Sequence, residues 1–167
     1  MSIVVEDGTG VAGAVAYSTA TELRDYVPRG GLAVPSGATD EQLEAALVRG
    51  TAYVEAAFSS RWPGVRETED QGLAWPRADA LDIEGYELSG VPQALKNACM
   101  EAALIEANEA GALTEALERG GMLIRKKTGP LEKEYAAGAP VGTVYPVIKQ
   151  CLASIMRLGG GVKFTRG

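Results

Sequence analysis

The sequence predicts a mainly α protein: a small bundle of about four helices, a β-hairpin between the third and last of them, a long pinned loop over 63–90 and an extended C-terminal tail. Three observations predict it. Thr19-Ala20-Thr21-Glu22 and Thr39-Asp40-Glu41-Gln42 are capping boxes, each opening a segment with helical apolar spacing. An alanine-rich apolar run follows Pro92, and a Lys/Glu-rich pair of short segments flanks Thr128-Gly129-Pro130.

The first stretch, "IVVEDGTGVAG" over 3–13, runs from a short apolar segment into G-x-G-x-x-G. A dinucleotide-binding fingerprint needs its third glycine to open a helix whose N-terminus receives a pyrophosphate. Here Ala14-Val15-Ala16-Tyr17 is too short before the Thr19 cap, no second parallel strand follows, and Glu6-Asp7 would set two negative charges beside a phosphate. Residues 1–17 are therefore expected as an extended N-terminal segment with a flexible glycine turn, and no cofactor is predicted.

Leu23 and Tyr26 give a short helix that Pro28-Arg29-Gly30-Gly31 stops. After Thr39, residues Leu43, Ala46, Leu47, Gly50, Val54, Ala57 and Phe58 fall on one face of a long amphipathic helix ending near Arg61-Trp62-Pro63-Gly64. The segment 63–90 has no period, yet it carries Trp75, Leu81, Ile83, Tyr86 and Leu88, which predicts a loop fastened to the core. Pro92 opens a third helix to about Ala110, whose Leu95, Ala98, Cys99, Ala102, Ala103 and Ile105 form a wide face of small residues suited to close helix packing. Ala112 to Arg119 adds a helical turn or two. The hairpin pairs Met122–Lys127 with Leu131–Tyr135, Lys and Glu facing across it. Pro146 opens a last helix striped by Ile148, Cys151, Leu152, Ile155 and Leu158, and Gly159-Gly160-Gly161 frees a flexible tail over 159–167. The expected core is Leu43, Leu47, Phe58, Trp62, Trp75, Leu95, Ile105, Leu152 and Ile155, within one domain spanning 1–167.

Charge divides the chain. Residues 1–120 hold 8 Lys+Arg against 20 Asp+Glu and residues 121–167 hold 8 against 2, so −12 and +6 sum to the net −6. An acidic body repels polyanions, which leaves the last third to carry any contact with nucleic acid or with an acidic neighbour. With no histidine, the commonest general base and metal ligand is missing, and neither a Cys/His metal site nor a catalytic constellation is visible. Asp79, Asp82 and Glu84 are ordinary solubilising loop charges, and an enzyme ranks last among the functions considered. Cys99 and Cys151 stand apart at apolar helical positions, as reduced core cysteines. Trp62, Trp75, Tyr53 and Phe58 lack interleaved basic residues, which favours packing over base stacking. No apolar run approaches the roughly 18 to 20 residues of a membrane span, and the N-terminus lacks a signal-peptide pattern, so a soluble, non-secreted protein without membrane contact is expected.

In order, "IVVEDGTG", "TDEQLEAALVRGTAYVEAAF", "RWPG", "QGLAWPRADALDIEGYEL", "VPQALKNACMEAAL", "KKTGPLEKEYA" and "YPVIKQCLASIM" resemble the tailed-phage head-tail connector (adaptor) family, a pattern also labelled DnaT-like single-stranded-DNA-binding protein. The likeness spans nearly the whole chain and is most specific at Trp62-Pro63-Gly64 to Trp75-Pro76-Arg77 and at Gly129-Pro130-Leu131-Glu132.

The resemblance implies a structural virion protein without enzymatic activity or cofactor, made in the host cytoplasm and placed at the neck between head and tail. As a homo-oligomeric ring, a dodecamer in this family, it would sit under the portal protein and offer a platform to a tail-side neck or terminator protein. Genomic DNA would pass its lumen without sequence-specific binding. On this expectation Lys163, Phe164 and Arg166 contact the portal or a neighbour, and Arg125, Lys126, Lys127, Lys133 and Glu134 lie between subunits or at the lumen. The alternative is a single-stranded-DNA-binding, DnaT-like protein whose basic hairpin and tail track phosphates.

Overall fold

Thr19 and Thr39 do what their side chains predict: each accepts a hydrogen bond from the backbone amide three residues on, while Glu22 and Gln42 reach back to the cap amide. These boxes start α1 (Ala20–Asp25) and α2 (Asp40–Phe58). The computed structural model describes residues 3–114, 125–128, 131–134 and 145–156. Within them the protein is mainly helical: α3 (Gln93–Asn108) and α4 (Pro146–Leu152) follow, with antiparallel pairs β1 (Val65–Arg66) and β2 (Arg77–Ala78), then β3 (Arg125–Thr128) and β4 (Leu131–Glu134). The hairpin lies between the third and last helices in chain order.

α3 is the centre of the molecule, and its composition explains why. Leu95, Ala98, Cys99, Met100, Ala102, Ala103 and Leu104 are all buried, so the helix is covered nearly all round. One side meets Val54, Trp62, Trp75, Ile148, Leu152 and Ile155; the other meets Leu23, Leu43, Ala46 and Leu47. Each fully buried leucine contributes about 2 kcal/mol. The small residues permit a close crossing of α2: a Cβ on Gly50 would lie 2.7 Å from the Ala103 amide nitrogen and 3.0 Å from the Cys99 carbonyl. Phe58 and Ile105 pack on the core from half-buried positions.

The helices differ from expectation at their ends. Ala57 is exposed, because the last turn of α2 has passed its crossing with α3, and Thr51 is buried in its stead. α3 stops at Asn108, whose side-chain amide donates back to the Leu104 carbonyl. α4 closes at Leu152; Ile155 is buried from the turn beyond it, and Leu158 lies outside the described residues. After α3 a 3-10 turn spans Ala112–Thr114, and 115–119 lie outside the description.

Segment 63–90 is fastened, as its aromatic content predicts. Trp75 is fully buried, edge-to-face on Trp62 at 6.3 Å between ring centroids, and the Trp75–Pro76 peptide is cis. The Arg77 guanidinium donates to the carbonyls of Pro63, Gly64 and Ala74, which closes the loop on itself. Gly64 adopts φ 64°, and a Cβ there would run into the Ala78 carbonyl, so no side chain fits.

The N-terminal segment runs back along this loop. Val5 bridges Ala16 in parallel, the Glu6 amide donates to the Ala16 carbonyl at 2.9 Å, and Gly72 packs on the Ala14 backbone. The glycine turn is closed, in contrast to the flexible turn expected. The Glu6 carboxylate is buried inside it and accepts from the amides of Gly8 (2.9 Å), Gly10 (2.9 Å) and Val11 (2.7 Å). Those are the donors that a phosphate would need.

Candidate nucleic-acid interface

A polyanion-binding surface needs cations that the fold has not already used. In the helical body most are engaged. Arg24 pairs with Asp40 at 2.8 Å, Arg49 with Glu106 at 2.6 Å and Lys96 with Glu22 at 3.3 Å. Arg66 donates to the Gln71 carbonyl, and Arg77 to the loop carbonyls given above. The acids outnumber them: residues 3–114 hold 7 Lys+Arg against 18 Asp+Glu.

Four of those acids are internal fasteners that the sequence reading missed. Besides Glu6, Glu101 is buried on α3 and accepts from the Tyr26 hydroxyl at 2.9 Å and from the Arg29 and Gly30 amides, which ties the start of the loop between α1 and α2 to the central helix. Glu106 is buried beside Arg49 and also accepts from the Gly111 amide at 2.9 Å. Glu55 accepts from the Tyr17 hydroxyl at 2.6 Å and the Ala74 amide at 3.1 Å, and Tyr17 in turn accepts from the Trp75 amide. Burial raises the Glu55 carboxyl above its usual range, against the pull of those two bonds, and burial with Glu55 close by raises the Tyr17 phenol. One sequence signal was present: Glu101 and Glu106 interrupt the otherwise apolar stretch Ala98–Ala107 of α3, and a buried polar group must find hydrogen-bond partners.

The aromatics offer no stacking platform in the body. Trp62 and Trp75 are core, Phe58 leans on Trp62 and Tyr53 meets Tyr145 edge-on at 6.0 Å. Tyr86 is exposed, but it sits among Asp82, Glu84 and Glu87, the wrong sign for a phosphate. An open groove of about 620 Å³ beside Pro35, Gln42 and Ala107 has the engaged Arg49–Glu106 pair and Glu41 in its wall, and its Ser36 has neither a histidine nor a lysine among the lining residues to activate it. Cys99 and Cys151 are free and buried, and burial raises both thiols. Among the described residues no group of three metal-ligating side chains occurs, and no helix is long and apolar enough to cross a membrane.

The hairpin is the basic element that remains. Its backbone register aligns Arg125 with Glu134, Lys126 with Lys133, Lys127 with Glu132 and Thr128 with Leu131. The described strands cover 125–128 and 131–134, with opposite charges on two rungs and like charges on the rung between them; residues 122–124 and 135 of the expected pair lie outside the described residues. The five residues singled out here from sequence, Arg125, Lys126, Lys127, Lys133 and Glu134, all fall on this ladder. Lys163, Phe164 and Arg166 lie outside the described residues.

A family model described as "Putative DnaT-like ssDNA binding protein" matches residues 1–167. The chain belongs to this DnaT-like family. No curated protein and no solved structure shows a significant match to it. Membership in the DnaT-like family agrees with one of the two labels the sequence motifs carry, and nothing in the match speaks for the head-tail connector label.

Proposed function

We propose that this protein binds single-stranded DNA through its phosphates, using the basic hairpin and the residues after it, with the acidic helical body as a rigid mount. Membership of the DnaT-like family along the entire chain carries this reading. The charge distribution supports it: 8 Lys+Arg against 2 Asp+Glu in residues 121–167 supply the counter-charge that the body lacks. Without an aromatic platform in the body, affinity comes from counterion release, so it falls steeply with salt and varies little with base sequence. Titrating a fluorescent oligothymidylate at stepped salt tests this. Expected is binding at low salt with a linear fall of log affinity against log salt; no binding at low salt overturns it.

A second reading has one observation of its own in favour. The opposite signs of the body and the last third suit a head-to-tail contact between copies, the interface type that closes rings. On that reading the chain is a non-enzymatic connector ring, a dodecamer at the virion neck, between the portal and a tail-side protein. Imaging of assembled particles tests it: copies at the portal vertex support the ring, and their absence there removes it.

A further inference from the structure

The hairpin's register separates its charges more sharply than its composition does. In an antiparallel ladder, residues aligned across the strands share a face, and successive rungs alternate between faces. Arg125, Lys127, Glu132 and Glu134 therefore belong to one face, which sums to zero charge. Lys126 and Lys133 belong to the other, with the uncharged rung Thr128–Leu131 beside them, so that face carries two positive charges and no acid.

Like charges aligned directly across a ladder destabilise it. Each flanking rung has its own acid in register, and the lysine rung has none. The Asp and Glu of residues 121–167 number two, Glu132 and Glu134, and register assigns both to the opposite face. Within residues 121–167, then, no acid is in register on the lysine face.

We propose that Lys126 and Lys133 form a phosphate-binding rung, and that the hairpin meets a nucleic-acid backbone with this one face while Arg125 and Lys127 are neutralised on the other. The inference rests on the single-stranded-DNA reading and names the residues that carry it. Lysine suits the task, as a compact charge with three rotatable donors that follows a mobile backbone phosphate without demanding a fixed geometry.

Two double variants of the full chain decide the matter: Lys126→Gln with Lys133→Gln, and Arg125→Gln with Lys127→Gln, both titrated with the same oligothymidylate across a salt series. Both remove two positive charges, so a general field effect moves them equally. The lysine-rung variant should lose affinity by roughly tenfold at low salt and lower the salt slope by about 1.4, from about 0.7 per lost single-strand phosphate contact. The other pair should stay within about threefold, with its slope unchanged. Replacing Glu132 and Glu134 by Gln frees the second face and should raise both affinity and slope. Lys126→Arg with Lys133→Arg should restore binding, which a merely misfolded hairpin would not do. Equal losses from the two doubles, or a larger loss from the arginine-containing pair, overturn the rung and leave the single-stranded-DNA reading intact. A wild-type protein that ignores the oligonucleotide at low salt overturns both.

Discussion

The helical body and the hairpin use charge in opposite ways. In the body, four acidic side chains work inward, Glu6, Glu55, Glu101 and Glu106 holding backbone amides and hydroxyls, while Arg24, Arg49 and Lys96 are each matched to an acid, the first and last of these pairs at the surface. In the hairpin, the ladder leaves one rung of like sign unmatched. Inward charge fixes loops to a core, whereas a like-charged rung is where the proposed phosphate contact would fall. Net charge alone, −6 for the chain, hides both uses.

Substitutions in the body should therefore change stability and leave oligonucleotide affinity alone, as long as the protein is folded. Trp75→Ala should have the largest effect, a loss of about 3–5 kcal/mol from the transfer and cavity terms together. Denaturant unfolding measures it, and a loss below 1 kcal/mol would show that segment 63–90 is not anchored through this side chain. Gly50→Ala comes next. Helix propensity favours alanine by about 1 kcal/mol, but overpacking typically costs about 1–3 kcal/mol, and contacts of 2.7 and 3.0 Å to the α3 backbone leave nothing flexible to yield. A stabilised Gly50→Ala protein would mean that the two helices separate easily.

Glu101→Ala should cost about 1–3 kcal/mol, because it strands the Tyr26 hydroxyl and the Arg29 and Gly30 amides. Faster amide hydrogen exchange at Arg29 and Gly30 should accompany the loss; unchanged protection there would break the link between loop and helix. Glu55 gives a pH signature. Its carboxyl is raised by burial, so its contribution to stability is fully present below the usual glutamate value and is lost as pH rises through the folded value. The stability of wild type relative to Glu55→Gln should therefore increase as pH falls from 7.5 toward 5, and a gap that shrinks would reverse the assigned cause. Smallest of all, Arg24→Ala breaks a solvent-exposed pair with Asp40 and should change unfolding free energy by no more than about 0.5 kcal/mol. Altered oligonucleotide affinity in any of these folded variants would break the division between body and hairpin.

The helices were legible because their signals are local. Thr19 and Thr39 cap through residues three positions away, and the stripes of α2 and α3 repeat within a few turns. The packing of Gly50 on α3 was legible in kind, since glycine and alanine at facing positions imply close approach. The glutamate fasteners were not, because their partners are distant: Glu101 meets Arg29 and Gly30 from more than seventy positions away, and Glu55 meets Tyr17 across thirty-eight. Glu6 is the instructive case, being close in sequence to all its donors yet first seen only as an obstacle to phosphate. The lysine rung needed a register, which a shift of one residue would erase.

The buried Glu6 side chain means that the N-terminal glycine turn arrives already occupied, by a carboxyl group covalently part of the protein. The seat that a phosphate would take is filled from within, so the turn that sets residues 8–14 against segment 63–90 is closed by one of the chain's own side chains.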